Sequence, residues 1–569
     1  MHNIMYLLLR RMRAPLIVVI LAYAVSILGL VLIPGMDDQG NPWRMDFFHA
    51  FYFVSFMGST IGFGEIPYPF TDAQRLWTTI AMYTTVLAWL YAIGSLFALI
   101  QDRAFRTVVN YSGFTRSVRG IKESFYLVCG LGDAGRLLVR ELAARGIRSV
   151  VIEQNQGKLD ALQLEDLSVY VPGMCADASI AASLTAAGLK SPYCAAVIAI
   201  TDSDHINLTI AITSKLLAPD LDVICRAETH DAQANMASFG TDSIVNPYDT
   251  FADRFAMMFQ SPSMYLVYEW LTSIRDAPLR DFVAPPKGKW VLCGFGRFGK
   301  AVQKSLSFEG IRTVIIESDI TGTLAPEGTI EGRGTEAITL YEADIDNAVG
   351  IIAGTDDDSN NLSIIITALD LNKDLFTVAR QNRSRNDAVF AAANIDLVMQ
   401  PGTITGRRIV NQITNPLLTN FLRLARQQNN EWANILVSRV VGILGDRPPE
   451  SWTLVVGHSQ TPAIIEATAK GCPISLGMMC TDPRDLTECL PCVPLLLKRQ
   501  HDDFLVPAND TILQPGDQLL FCGRKGAETH MRWSANDFNA LNFICSGVDR
   551  PSGSLWRWLS EHEPDNKMA

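Results

Sequence analysis

Two uncharged apolar stretches, Pro15 to Ile33 and Leu76 to Ile100, constrain this chain more than any other feature, because each is long enough to cross a bilayer as a helix. Hydrocarbon offers no hydrogen-bond partners, so a lone spanning segment must satisfy its own backbone, which a helix does. Arg10, Arg11 and Arg13 precede the first stretch, and Arg103, Arg106, Arg116, Arg119 and Lys122 follow the second, whereas only Arg44 and Arg75 lie between them. That asymmetry predicts a multi-pass protein of the cell (inner) membrane with spans at about 15–34 and 76–101 and both termini cytoplasmic. A cleaved leader is not expected, since the first apolar run is too long and no small-residue cleavage site follows Ile33-Pro34-Gly35.

Between the spans, the aromatic-rich segment Met45 to Met57 predicts a short re-entrant helix, and it leads into Thr60-Ile61-Gly62-Phe63-Gly64. Two glycines flanking an aromatic allow dihedrals that side-chain-bearing residues resist, so successive carbonyl oxygens can turn to one axis and replace the water around a cation. The negative C-terminal end of the preceding helix would favour the same cation. The segment resembles the selectivity filter of potassium channels, with Phe63 where Tyr is more usual and Glu65 where Asp commonly follows. The resemblance implies K+ in the filter and, because one chain supplies one filter strand, a homotetramer in contact with membrane lipids. Gly94 sits where the inner helices of such channels bend, and equally suits close helix packing. No arginine-repeat helix offers a carrier for voltage sensing.

Only about a hundred of the 569 residues lie in or beside the membrane, which leaves room for two or three further domains. A net charge of −11 argues against nucleic-acid partners. The eleven cysteines form no regular framework and all follow the second span, so they are expected to be reduced. Cys489 and Cys492, with Cys472 and Cys480 nearby, lack the second Cys-x-x-Cys pair or paired histidines that a zinc site needs.

An internal repeat defines the remainder. Phe125-Tyr-Leu-Val-Cys-Gly130-Leu131-Gly132-Asp133-Ala134-Gly135 recurs as Lys289-Trp-Val-Leu-Cys-Gly294-Phe-Gly296-Arg297-Phe298-Gly299, and an acidic residue ends a second strand in each copy, Glu153 and Glu317. This is the dinucleotide-binding fingerprint, twice: the first glycine makes the tight turn, the second lets backbone approach pyrophosphate, the third lets helix pack on strand, and the carboxylate takes ribose hydroxyls. Thr201 with Asn207 matches Thr355 with Asn361, Arg226 matches Arg380 and Pro247 matches Pro401, so two copies of one Rossmann-like domain follow each other.

Filter, spans and tandem fingerprints together resemble potassium channels gated by regulator-of-potassium-conductance (RCK) domains, with two such domains per subunit. Further family-like stretches are Asp177-Ala178-Ser179 and Val506 to Gly523, the latter similar to the small C-terminal lobe of many such domains. The expected architecture is a membrane α-helical pore of two transmembrane helices plus a re-entrant pore helix, joined to two α/β Rossmann-like domains and a small α+β lobe. The expected boundaries are 1–110 for the pore domain with pore helix and filter at 44–65, 111–123 for a linker, 124–285 and 286–430 for the two RCK domains, 431–525 for the lobe and 526–569 for a tail. Helices Tyr248 to Ser261 and Gly402 to Gln428 are expected to be the crossovers that pair the domains.

The resemblance implies a cytoplasmic ring whose ligand-driven change of shape pulls on the inner helices. Glu153 and Glu317 favour an unphosphorylated ribose, hence NAD, NADH, ADP or ATP over NADP, since a carboxylate repels a 2′-phosphate. Gly130 to Gly135, Glu153, Asp177, Ala178, Thr201 and Arg226 form the better site, while Arg297 of the second turn could meet phosphate and Thr321 to Thr329 is irregular where the first copy has a helical pattern. Asp202, Asp204, Asp356, Asp357 and Asp358, with Glu228 or Asp231, are possible Ca2+ ligands but suit helix capping better. No acid–base pair accompanies the fingerprints, so an enzyme is not expected. A less selective cation channel and a non-conducting, membrane-anchored nucleotide-binding protein are the alternatives.

Overall fold

The computed structural model describes residues 2–272, 283–445 and 449–548. They divide into two compact units, Met1–Ile121 and Lys122 onward.

In the first unit, helices His2–Leu32 and Asp72–Gln101 pack against each other and are, among the described residues, the two helices long and apolar enough to cross a membrane. Most of their apolar surface is exposed, which separates them from buried core helices and fits a lipid environment. The second helix starts earlier than the apolar run, at a capping box in which Thr71 and Gln74 satisfy each other's backbone. Trp77 locks the pair: its indole N–H donates to the Ser26 carbonyl at 3.1 Å, and its ring fills the space a side chain at Gly29 would need. Helix Arg103–Gly120 follows, so most of the stretch read as a linker is helical.

The second unit contains two six-stranded parallel sheets of identical topology. In sheet order their strands are Gly173–Cys175, Arg148–Glu153, Phe125–Cys129, Cys194–Ala199, Asp222–Arg226 and Ser243–Val245, and Ile330–Glu331, Arg312–Glu317, Lys289–Cys293, Gly350–Ala353, Phe376–Arg380 and Leu397–Met399. This order places the fingerprint strand beside the point where the direction of winding reverses, and ligand crevices open there at the carboxyl ends of the strands.

The copies exchange helices. Helix Pro247–Gln260 of the first copy lays Tyr248, Phe251, Phe255 and Phe259 against Trp290 and Phe298 of the second, while helix Pro401–Thr414 of the second lays Ile409 and Val410 against Leu138 and Val139 of the first. Each fully buried side chain of this size contributes about 1.5–3 kcal/mol, so the pairing is a core rather than a surface contact. The first crossover matches the expected Tyr248 to Ser261 to within one residue at each end, whereas the second is shorter than the expected Gly402 to Gln428. Each ends before a proline, Pro262 or Pro416, and a second helix starts there, because proline lacks the N–H that continued helix needs.

Among the described residues, only the second copy carries a lobe, built on the antiparallel strands Glu450–Val455, Cys492–Arg499, Asp502–Leu505 and Gln518–Gly523. Helices Ala527–Asn536 and Phe538–Ser546 bury Met531, Ala535 and Leu541 in its core, so the segment taken as a tail from 526 belongs in part to the lobe. Trp556 and Trp558 lie outside the described residues.

All eleven cysteines are unbridged, and only Cys175, Cys472 and Cys489 are exposed. Burial pushes Cys194, Cys225, Cys293 and Cys522 up to about 12, leaving almost no thiolate at neutral pH. Brief maleimide labelling of the native protein, read by mass spectrometry, is therefore expected to modify those three exposed positions ahead of all others.

Candidate functional sites

The Thr60–Gly64 segment is held by the short helix before it. Asp46 caps helix Phe47–Gly58 by accepting from the His49 N–H at 2.8 Å, and the carbonyl of Phe56 receives the N–H groups of Ile61 at 3.1 Å and Gly62 at 3.3 Å. Thr60, Gly62 and Gly64 have φ of 61°, 67° and 73°, so every second residue is left-handed. An ordinary extended strand alternates its carbonyls between two sides, and reversing the hand at alternate residues brings them to one side. Thr60 adopts this conformation despite its branched side chain, a local strain of the kind found where function over-determines geometry. Beyond the segment, Tyr52 donates to Glu65 at 3.1 Å and the Phe63 ring packs edge-on to Phe56 at 6.2 Å, tying both unusual residues back to the helix. Gly94 lies in unbroken helix, with nothing within 4 Å of where a side chain would start.

In both glycine-rich turns each glycine has a distinct physical reason. Gly130 and Gly294 take φ of 105° and 95°. A side chain at Gly135 or Gly299 would meet the carbonyl oxygen of Gly130 or Gly294 at 2.1 Å, so only glycine lets these helices approach. Gly132 and Gly296 face open space: a Cβ would meet nothing nearer than Asp202 at 3.8 Å in the first copy and nothing within 4 Å in the second. That opening, at the N-termini of helices Asp133–Ala144 and Arg297–Phe308, fits a pyrophosphate.

The acidic residues lie where the fingerprint requires. Glu153 accepts from the N–H groups of Leu131 at 2.6 Å and Asn155 at 2.9 Å, and Glu317 from those of Phe295 at 2.5 Å and Asp319 at 2.9 Å. Asp177 accepts from the Ser179 hydroxyl at 2.6 Å and its N–H at 2.8 Å, which hold its carboxyl below the usual range. Ala178 is buried beside it. Thr201 and Asn207 lock the turn after the fourth strand, with the Asn207 amide donating to the carbonyls of Thr201 and Arg226, both at 3.0 Å, and Thr355, Asn361 and Arg380 repeat the arrangement.

The aspartates weighed as calcium ligands are not brought together, and no metal-binding group of three occurs among the described residues. Asp204 accepts from the backbone of Glu228 and Thr229, Asp358 from that of Asn382 and Arg383, Asp357 caps its helix, Asp202 pairs with Arg226, and Asp356 is exposed. Backbone N–H groups hold both oxygens of Asp204 and of Asp358 and one of Asp357.

Sequence reasoning missed a polar cluster between the copies. Glu228 pairs with Arg226 of its own copy and with Arg297 of the second glycine turn at 2.5 Å, so Arg297 is engaged rather than free. Tyr248, whose hydroxyl burial keeps protonated, donates to Glu228 at 3.2 Å and accepts from the buried Arg380 at 3.0 Å, with the Arg380 guanidinium 5.0 Å from the centre of its ring. On the other side, Asp133 of the first glycine turn accepts from the Ser384 N–H and hydroxyl at 3.0 and 2.8 Å. Tyr248→Phe leaves Arg380 buried with one partner fewer and is expected to cost about 1–3 kcal/mol, visible as a lowered Tm. An unchanged Tm would show that the cluster contributes nothing to pairing.

The sequence pattern of the ion-channel family matches residues 16–102, and that of the TrkA-N domain matches twice, at 126–247 and 290–401. The chain contains an ion-channel domain followed by two TrkA-N domains. The channel match covers both spans and the glycine-containing segment, and each TrkA-N match runs from the fingerprint strand to the start of the crossover helix. Potassium channel protein 1 of Methanocaldococcus jannaschii is 24% identical over 246 residues, which are 42% of this chain and 71% of that protein. The voltage-gated potassium channel Kch of Escherichia coli is 24% identical over 216 residues, 37% of this chain and 49% of that one. Among solved structures, the GsuK channel bound to NAD aligns over 93% of this chain and 99% of its own, at 16% identity and a TM-score of 0.46.

Proposed function

We propose that the protein is a homotetrameric, potassium-selective channel of the cell membrane whose opening is controlled by an adenine-containing nucleotide, NAD, NADH, ADP or ATP, on its TrkA-N domains. The observation that carries the pore is the alternation of left-handed residues at 60, 62 and 64, held at the C-terminal end of a short apolar helix between two membrane-length helices. Four such segments around an axis would present rings of carbonyl oxygens to a dehydrated cation, with Thr60, Ile61, Gly62, Phe63 and Gly64 as the filter. The ties from Tyr52 to Glu65 and from Phe56 to Phe63 favour a rigid, selective filter over a less selective cation pore.

The nucleotide reading rests on the open space at Gly132 and Gly296 and on the carboxylates of Glu153 and Glu317 at the neighbouring strand ends. Basic residues flanking both spans support cytoplasmic termini, which would place the TrkA-N domains where such nucleotides are abundant. Helix Arg103–Gly120 is the segment through which a change there would reach the pore, and Gly94 is the hinge candidate within the second span.

Potassium flux into liposomes containing the purified protein, with and without NAD and with sodium substituted for potassium, tests both halves. Potassium-selective flux that responds to NAD is expected. Equal sodium and potassium flux would replace the selective pore with a general cation pore, and absence of flux with retained NAD binding would reduce the protein to a membrane-anchored sensor.

A further inference from the structure

The two glycine turns share a fold but carry opposite charge. The residue that opens the fingerprint helix is Asp133 in the first copy and Arg297 in the second, at the same step after the second glycine. A second exchange lies at the ribose side. The Ala176 N–H donates to the Glu153 carbonyl and the Gly332 N–H to the Glu317 carbonyl, both at 3.1 Å, so the next residues, Asp177 and Arg333, occupy equivalent positions. The neighbouring Asp202 and Asp356 are acidic in both copies and cancel in the comparison.

The first crevice thus carries Asp133, Glu153 and Asp177, and the second Arg297, Arg333 and Glu317 together with Asp319 and Glu331, which stand where the first has Asn155 and Cys175, so the second remains the less negative of the two. At a helix N-terminus an anion is stabilised by the backbone. Asp133 already supplies one there, whereas Arg297 adds to the positive field. The side chain of Arg297 is half exposed, and Glu228 keeps Arg226 and Tyr248 as partners, so Arg297 can turn toward a phosphate without leaving Glu228 unpaired.

We infer that the two copies bind different classes of nucleotide: the first a dinucleotide of the NAD class, whose phosphates are both singly charged diesters, the second a nucleoside polyphosphate of the ATP class, whose terminal phosphate carries additional charge. This rests on the nucleotide reading above and adds to it which ligand goes where. Asp177 suits the first class, since an adenine amine or ribose hydroxyl can donate to it, while Arg333 gives the second site a cation where the first has an acceptor.

The test uses the full-length protein in nanodiscs, with NAD and ATP as probes in equilibrium dialysis. Both are expected to bind without competing. Gly132→Val should abolish NAD binding and spare ATP, and Gly296→Val the reverse, since both side chains would project into open space and leave the fold intact. The double variant Arg297→Asp with Arg333→Asp should weaken ATP about 100-fold, from reversal of two charges near the ligand, and leave NAD unchanged. Competition between NAD and ATP for one site lost with Gly132→Val, or an unchanged ATP affinity in the double variant, would overturn the division of ligands while keeping a nucleotide sensor. Failure of the wild-type protein to bind either probe would instead remove the nucleotide reading, and the division with it.

Discussion

Gly62→Ala is expected to reduce potassium flux to background while leaving a folded protein that still binds nucleotide. Nothing lies within 4 Å of the position a side chain would take, so the effect does not come from a clash. It comes from the dihedral: at φ 67° an alanine Cβ crowds the following carbonyl, at about 1–2 kcal/mol. Relaxing that strain rotates a peptide and takes one carbonyl out of line, and in a tetramer the defect recurs in every strand of the ring. Thr60 already bears such a strain, so the segment has little reserve. Flux in liposomes beside NAD binding by the same sample gives the readout. Undiminished potassium flux would show that Gly62 does not line the conduction path.

The second large effect separates two glycines of one motif. Gly135→Val is expected to unfold the first TrkA-N domain, because its Cβ would lie 2.1 Å from the Gly130 carbonyl oxygen and neither backbone can retreat without breaking the sheet edge or the helix. Core overpacking ordinarily costs about 1–3 kcal/mol, and a backbone clash of this depth exceeds that range. Gly132→Val has no such neighbour, so Tm should hold while the crevice is filled and nucleotide is excluded. Thermal unfolding and NAD binding measured on both variants distinguish the roles. Equal loss of Tm in both would mean that the open space beside Gly132 is not a ligand crevice.

Much of the fold was legible because it is periodic or repeated. The common spacing of Thr201 with Thr355, Asn207 with Asn361 and Arg226 with Arg380 corresponds to one hydrogen-bond network built twice, down to the asparagine amide that joins two strand ends. Of the clustered aspartates, Asp357 caps its own helix as expected, whereas Asp204 and Asp358 serve loop backbone that only the fold brings near. What could not be read arises between residues far apart in the chain. Arg297 meets Glu228 and Ser384 meets Asp133 only because the copies exchange helices, and neither pair has a local pattern. The break at Pro416 was present in the sequence but masked by apolar spacing that continues through it. Of the helices after 526, Phe538–Ser546 is mostly apolar, but nothing local names what covers it, and it finds its core only against the lobe.

The exchange of crossover helices also bears on how such a chain could have arisen and how it must be handled. A single copy released from its neighbour would expose Phe251, Phe255 and Phe259 to water, so neither half is expected to remain soluble when expressed alone. Two separate copies would meet through one self-complementary surface and would have to mutate both halves together. Joined in one polypeptide, they find each other at an effective concentration in the millimolar range whatever the abundance of the protein, and each half of the contact is free to change independently. Duplication followed by fusion thus turns an association that depends on concentration into a fixed one, and leaves Asp133 and Arg297 free to diverge.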